Sequence, residues 1–215
     1  MRQVSDTGTA SPQYADRLVM LEGVWWKRLL PVQAPYRWNL RRHRLGRTLD
    51  VGCGVGRNLA HLAPGSVGVD HNAAAVLVAR RRGLDALTVE ELQTRDDAGP
   101  SSFDSILLAH VLEHLTADEA RALLRTYLGY LRPGGRVLMI CPQQRGYATD
   151  ATHVTYLTGS DLVDLAREVG LRARRWHSFP FPSAMGRFFA YNEFTVLAEA
   201  PEPGRSERPR SYPVR

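Results

Sequence analysis

The sequence has almost no lysine, little isoleucine and only two cysteines. Lys27 is the single lysine, so nearly all of the 28 positive side chains are arginines, and the formal net charge is +6. An excess of positive charge is typical of proteins that bind nucleic acid. Here the arginines are scattered along the chain rather than grouped, so charge alone does not predict a nucleic-acid partner.

The two cysteines, Cys53 and Cys141, have neither the spacing of a metal site nor the number that a disulfide framework needs. Free thiols suit a reducing compartment. The sequence also lacks any run of about 18 apolar residues, and no apolar segment follows a charged start. These absences predict a soluble, cytoplasmic protein that is not inserted in a membrane.

Apolar runs with the pattern of strands alternate with segments of helical periodicity through the middle of the chain. The predicted strands are 48–51, 66–69, 86–89, 103–109 and 136–141, and the predicted helices between them are 57–63, 72–82 and 116–131. This alternation predicts an α/β fold with helices on both faces of a parallel sheet. After a helix at 160–169, strands at 171–179 and 193–200 follow each other directly. They predict an antiparallel last strand in a mainly parallel, seven-stranded sheet.

The chain divides into three parts by composition. Residues 1–44 predict a helical lead-in or lid with four conspicuous aromatic residues, namely Trp25, Trp26, Tyr36 and Trp38. Residues 45–200 hold the α/β pattern. Residues 201–215 are rich in Pro and Arg and have little to bury, so we expect a disordered tail.

A glycine-rich turn, LDVGCGVGRNL, joins the first strand to a helical segment. Gly52, Gly54 and Gly56 allow positive φ angles and let a ligand approach the backbone. The following helix start offers free N–H groups and a partial positive charge. Arg57 stands where a dinucleotide fingerprint has its third glycine, so the motif does not predict a nicotinamide nucleotide.

Two acidic residues extend this motif into a nucleoside site. Asp70 ends the second predicted strand, where a carboxylate can accept hydrogen bonds from both hydroxyls of a ribose. Asp50 precedes the glycines and is available to an ammonium group. A ligand with a ribose and an ammonium but no phosphate is S-adenosylmethionine. The structural alternatives are a tight turn for the glycines and a helix cap for Asp70.

Four segments, LDVGCGVGRNL, GVDHN, FDSILLAHVLEHL and LRPGGRVLMICPQ, resemble the successive motifs of class I S-adenosylmethionine-dependent methyltransferases. The resemblance covers about residues 45–200, is closest to small bacterial members of the type 11 and type 23 groups, and implies a Rossmann-like fold. It implies a cofactor site made of Asp50, Gly52, Cys53, Gly54, Asn58, Asp70, His71, Glu90, Glu91 and His110.

Within this implied site, each residue has a role. The glycines lie behind the methionine part, Asp70 holds the ribose and His71 lies against the adenine. The segment VEELQTRDD departs from the usual Gly-Asp-Ala pattern, so Glu90 and Glu91 are only candidates for the adenine amine. His110 ends the fourth strand and would lie near the reacting methyl group.

The motif AHVLEHL, together with a later histidine, supplies the catalytic candidates His110, Glu113, His114 and His153. These four resemble the Glu/His metal sites of ubiquinone-type O-methyltransferases and small-RNA 2′-O-methyltransferases, although those families have Glu where His110 stands. The letters also match the H-x-x-E-H of a zinc peptidase, which needs a longer helix. We favour a third interpretation without a metal, in which Glu113 and His114 cap the strand-to-helix turn and His110 or His153 acts as the base.

The acceptor of the methyl group is less well specified. Aromatic residues between 179 and 191 could line a pocket for a flat or lipophilic molecule, or could pack on the sheet edge. We expect transfer to an oxygen or nitrogen of a small molecule. The alternatives are an RNA methyltransferase and a protein that binds the cofactor without catalysis.

Overall fold

The structure is a computed structural model that describes residues 34–202, and these residues form one seven-stranded sheet. Its strands are β1 (Thr48–Val51), β2 (Val67–Val69), β3 (Ala86–Leu87), β4 (Phe103–Ala109), β5 (Leu131–Pro142), β6 (Arg172–Phe179) and β7 (Glu193–Glu199). Their order across the sheet is β3-β2-β1-β4-β5-β7-β6. Strand β7 is antiparallel to both neighbours, and the other pairs are parallel. The predicted fold class is therefore confirmed.

Helices surround this sheet. They are α1 (Ala34–Arg42), α2 (Ala73–Arg81), α3 (Val89–Gln93), α4 (Ala117–Leu128), α5 (Gln144–Tyr147) and α6 (Gly159–Glu168). Reciprocal hydrogen bonds between Thr116 and Glu119, and between Thr158 and Asp161, start α4 and α6 as capping boxes. Gly170, at φ +87°, follows the end of α6, where a left-handed residue stops a helix.

Strand β4 shows why the sheet is covered on both faces. Ile106 and Leu108 pack in the cluster that includes Leu124 of α4, whereas Leu107 packs on the other face with Leu40 of α1. Because successive side chains of a strand point to opposite faces, a strand apolar at every position must be buried on both sides. This arrangement places β1 and β4 in the centre of the sheet.

Three predicted elements differ from the observed ones. The predicted helix 57–63 is only a short 3₁₀ helix at Leu59–His61. Strand β3 ends at Leu87 because Thr88 and Glu91 form a capping box that starts α3. Strand β5 begins at Leu131, earlier than predicted, since that residue pairs with Phe103 before the register shifts.

Some predictions fall outside the described residues. The predicted helical segment before residue 34, with Trp25 and Trp26, lies there, as does nearly all of the predicted tail 201–215. Within residues 34–202, no helix is both long and apolar enough to span a membrane.

Candidate functional site

The predicted site residues come together where β1, β2 and β4 end. Val51 of β1 pairs with Val69 of β2 and with Leu108 of β4, so the three strands end side by side. The glycine turn follows β1, Asp70 follows β2 and His110 follows β4. Ligands of open α/β sheets bind at this carboxyl edge.

The glycine turn is held tightly against its neighbours. Gly52 has φ +72°, and an added Cβ would lie 2.4 Å from Cγ2 of Val111. Its N–H donates to the carbonyl oxygen of Val69 at 2.8 Å. At Gly56, with φ +83°, a Cβ would meet Leu84 at 2.3 Å. The turn therefore needs glycine both for its dihedral angles and for its closeness to the loop after β4.

Asp70 is oriented by the backbone on both sides. Its Oδ2 accepts the N–H of Gly54 and its Oδ1 accepts the N–H of Asn72, both at 2.8 Å. Asn72, rather than Asp70, caps α2, since its side chain accepts from the first turn of that helix. The alternative explanation of Asp70 as a helix cap is therefore wrong. Each carboxylate oxygen keeps a further lone pair for a hydroxyl donor.

Asp50 is a buried carboxylate with an unsatisfied oxygen. It is 1% exposed, and among residues 34–202 nothing hydrogen-bonds to its Oδ2. Burial, and then the charge of Asp70, raise the pKa of Asp50 to about 8, while a backbone hydrogen bond from Leu59 acts the other way. A buried carboxylate without a partner is unfavourable. A ligand ammonium placed at the turn would supply the missing partner, so the site fits the predicted cofactor.

The other predicted cofactor residues contribute less directly. Cys53 packs its side chain with Val76 in an apolar cluster, so only its backbone can face a ligand. Asn58 is half-buried at the start of the 3₁₀ helix. His71 is largely exposed, with Nδ1 3.5 Å from Oδ1 of Asp70. Glu91 is committed to its capping box and to an ion pair with an arginine of α2.

Glu90 is exposed in the first turn of α3, which follows the end of β3. Because Glu91 already has these structural partners, Glu90 remains the better of the two candidates for the adenine amine.

His110 lies between two carboxylates. Its Nε2 is 2.9 Å from Oε1 of Glu193, and its Nδ1 is 3.3 Å from Oε1 of Glu113. Desolvation lowers the pKa of His110, but the two carboxylates more than offset it and raise this pKa to about 10. With a proton on each nitrogen, His110 can donate but not accept. The predicted role of His110 as a base would require it to lose one of these protons, and it stays a prediction.

Glu193 was missed by the sequence analysis. It begins β7, where it pairs with Pro142 of β5, and this register brings it beside His110. The two residues are 83 positions apart in the chain, and no local sequence pattern predicts their contact. Only the antiparallel placement of β7 next to β5 could have predicted it.

Glu113, His114 and His153 form a second group on the outer side of His110. Their potential ligand atoms lie within 4.8 Å of one another, and the two imidazole rings are 4.7 Å apart. Thr116 and Glu119 make the cap of α4. Glu113 and His114 therefore do not cap α4, and their predicted role in stiffening the strand-to-helix turn stays a prediction.

The aromatic segment after β6 is partly packed and partly exposed. Tyr36 of α1 donates its hydroxyl hydrogen to the carbonyl oxygen of Tyr191 at 2.7 Å, and its ring contacts Phe179 edge-on. In contrast, Phe188 is 77% exposed. One part of the segment thus packs against α1, whereas the predicted pocket for an acceptor stays a prediction.

Comparison with known proteins places these features in a family context. Residues 49–137, which include the glycine turn, Asp70 and the His110–His114 segment, match the family model of a methyltransferase domain. No curated protein sequence matches the chain significantly.

Solved structures similar to this chain share its fold. The N-methyltransferase NodS from Bradyrhizobium japonicum, in complex with S-adenosyl-L-homocysteine, is 19% identical, with a TM-score of 0.65 over 90% of this chain and 100% of that one. A S-adenosylmethionine-dependent methyltransferase from Archaeoglobus fulgidus is 16% identical, with a TM-score of 0.61 over 76% and 92% of the two chains. A protein whose structure concerns the conversion of a disulfide bond into a thioacetal group during echinomycin biosynthesis is 22% identical, with a TM-score of 0.58 over 78% of this chain and 82% of that one.

Proposed function

We propose that this chain, whose residues 49–137 match a methyltransferase domain, is a class I S-adenosylmethionine-dependent methyltransferase that methylates an oxygen or nitrogen atom of a small molecule. The observation that carries the cofactor assignment is the buried, unpartnered Oδ2 of Asp50 beside the glycine turn. An ammonium group is the ligand group that this oxygen lacks. The adjacent Asp70 adds acceptors for two hydroxyls.

On the cofactor side, the residues of the chain bind and orient S-adenosylmethionine. The backbone of Gly52 and Gly54 leaves room for the methionine part, Asp50 receives the ammonium, and Asp70 receives the ribose hydroxyls. When bound, S-adenosylmethionine supplies a methyl group activated by a sulfonium. Transfer disperses this positive charge, so a dry site and an in-line arrangement favour the reaction.

On the acceptor side, we assign His110, Glu113, His114 and His153. His110 carries protons on both ring nitrogens and is held beside the acceptor by Glu193 and Glu113. The proton that an acceptor loses leaves towards His114 and His153, whose pair of imidazoles lies 4.7 Å apart. Desolvation lowers the pKa of His114, which keeps it neutral and able to accept a proton.

A small-molecule acceptor is supported by the exposed aromatic surface and by the nature of two structural neighbours. Phe181, Phe188 and Tyr191 are exposed at the end of the sheet where the cofactor residues lie. NodS is an N-methyltransferase, and the echinomycin enzyme acts in the biosynthesis of a small molecule. Exposed aromatic rings beside a site suit a flat or apolar acceptor.

Calorimetric titration of S-adenosylmethionine and S-adenosylhomocysteine tests the proposal. We expect micromolar binding by the wild type and at least tenfold weaker binding by Asp70→Ala, a loss of about 1.4 kcal/mol. Asp164→Ala, an exposed aspartate of α6, is the matched control and keeps full affinity. Absence of binding by the wild type would contradict the cofactor assignment, and labelled methyl in RNase-sensitive material would replace the small-molecule acceptor with RNA.

A further inference from the structure

The group of side chains beside His110 has the composition of a metal site. Glu113, His114 and His153 each offer one ligand atom within 4.8 Å of the other two. We propose that these three residues bind one divalent ion of the transition-metal class, such as Zn²⁺, Mn²⁺, Fe²⁺ or Co²⁺. Two imidazoles and one carboxylate are ligands that these ions accept readily.

Hydrogen bonds fix the state of both histidines. Nδ1 of His114 lies 3.2 Å from the carbonyl oxygen of Thr152, and Nδ1 of His153 lies 2.7 Å from that of Tyr147. A carbonyl oxygen only accepts, so both Nδ1 atoms carry the proton. Both Nε2 atoms therefore have a lone pair. A backbone acceptor behind each imidazole is the arrangement that orients a metal-bound histidine.

Glu113 supplies the second, independent observation. Its residue is 0% exposed, no hydrogen bond of good geometry reaches its carboxylate oxygens within residues 34–202, and the thiol of Cys141 lies beside it. The nearest cationic group is Nδ1 of His110, at 3.3 Å from Oε1. A carboxylate so deeply buried is unfavourable unless charge compensates it. The doubly protonated His110 is shared with Glu193, so it offsets only one of the two carboxylates, and a dication at the two histidines would compensate the other.

The backbone holds the three ligands together. The N–H groups of Val154 and Thr155 donate to the carbonyl oxygen of Glu113 at 2.8 and 3.0 Å, which ties the His153 loop to the segment after β4. The ring of Tyr147 stacks on His153 with centroids 5.0 Å apart. Ligand atoms around one ion are roughly 3–4 Å apart. The three ligand atoms lie within 4.8 Å of one another, so they would need to approach each other by about an ångström to bind one ion.

An ion with three protein ligands keeps an open position. This step rests on the proposed function. Glu113 contacts His110 at the end of β4, so the open position would face the acceptor. A bound divalent ion lowers the pKa of a coordinated hydroxyl. The ion would thus replace a histidine base, and the acceptor would be one that presents an oxygen atom.

Titration with Co²⁺ and Zn²⁺ tests the site. Protein freed of its affinity tag and of metal by a chelator is titrated with Co²⁺, monitored by visible absorption, and Zn²⁺ is then added as competitor. We expect one ion per chain, displaced by Zn²⁺ but not by equimolar Mg²⁺, which prefers oxygen ligands. Affinity falls at least tenfold in Glu113→Gln and in His153→Ala. The control His177→Ala, an exposed histidine of β6, binds as the wild type does.

Saturable binding that neither Glu113→Gln nor His153→Ala weakens, or no saturable binding by the wild type, would overturn the site. If Glu113→Gln fails to fold, the half-buried His153→Ala decides the question. Titration of S-adenosylhomocysteine into the same preparations separates this inference from the proposed function. Cofactor binding without metal binding refutes only the metal site, whereas metal binding without cofactor binding refutes only the function.

Discussion

Replacing Asp50 with asparagine should make the protein more stable and at the same time weaken its binding of the cofactor. The carboxyl group is buried, its Oδ2 has no hydrogen-bond partner in residues 34–202, and its pKa is raised to about 8. Asp50→Asn keeps the size of the side chain and removes its charge. We therefore expect a higher free energy of unfolding and weaker binding of S-adenosylhomocysteine.

The size of the gain depends on pH. The pKa of Asp50 is 3.8 in the unfolded chain and about 8 in the folded protein. Between pH 3.8 and about pH 8, the folded state therefore holds a proton on Asp50 that the unfolded state has already lost. The wild type is therefore destabilised progressively as the pH rises through this interval, by roughly 5 kcal/mol at most near pH 8. Asparagine still buries a polar amide, which costs about 1–3 kcal/mol. A net gain of about 2–4 kcal/mol near pH 8 remains.

Thermal unfolding of the cofactor-free protein at pH 5, 6.5 and 8 measures this effect. A gain of that size raises the Tm by about 5–10 °C at pH 8, and the advantage of Asp50→Asn shrinks towards pH 5. Asp164→Asn, at an exposed position, shows no such trend. A difference in Tm that does not grow with pH would refute the raised pKa, and unchanged cofactor affinity would refute the role of Asp50 as the ammonium partner.

Three further predictions follow from packing and hydrogen bonds. Gly52→Ala, whose Cβ would lie 2.4 Å from Val111, should lower cofactor affinity at least tenfold by calorimetry; unchanged affinity would mean that the turn can shift freely. Leu124→Ala, at a fully buried position of α4, should lower the free energy of unfolding in urea by about 2–5 kcal/mol; a loss below 1 kcal/mol would contradict close packing there. Tyr36→Phe removes the hydrogen bond to Tyr191 and should speed proteolytic cleavage between residues 181 and 191 with little change in Tm. Cleavage at the same rate as in the wild type would show that this hydrogen bond does not hold the segment.

Much of the fold could be predicted because its strands are buried on both faces. A largely apolar run such as Ser105–Ala109 is typical of a parallel strand that is buried on both faces, and it lies in the centre of the sheet. The glycine turn and Asp70 were predictable for a different reason. The turn after β1 and the end of β2 lie within about twenty residues of each other in the chain, so spacing alone predicts that Asp70 lies beside the glycine turn.

The rest depended on contacts that local pattern does not contain. The segment 57–63 has helical periodicity, yet only Leu59–His61 forms a turn of 3₁₀ helix, and the side chain of Asn58 makes no cap hydrogen bond there. Glu193 reaches His110 only because β7 runs antiparallel beside β5. The burial of Glu113 was equally hidden, since a carboxylate in a polar motif is ordinarily exposed.

The position of β7 also has a consequence for the order in which the site can form during synthesis. Every residue assigned to the cofactor lies between Asp50 and His110 and can assemble when the parallel strands meet. The carboxylate of Glu193 arrives more than eighty residues later and must insert its strand between β5 and β6. The contact between Glu193 and His110 can therefore form only after nearly the whole sheet has been synthesised, and a contact of such sequence separation is slow to form. Completion of the last strand is thus the step that sets the surroundings of His110.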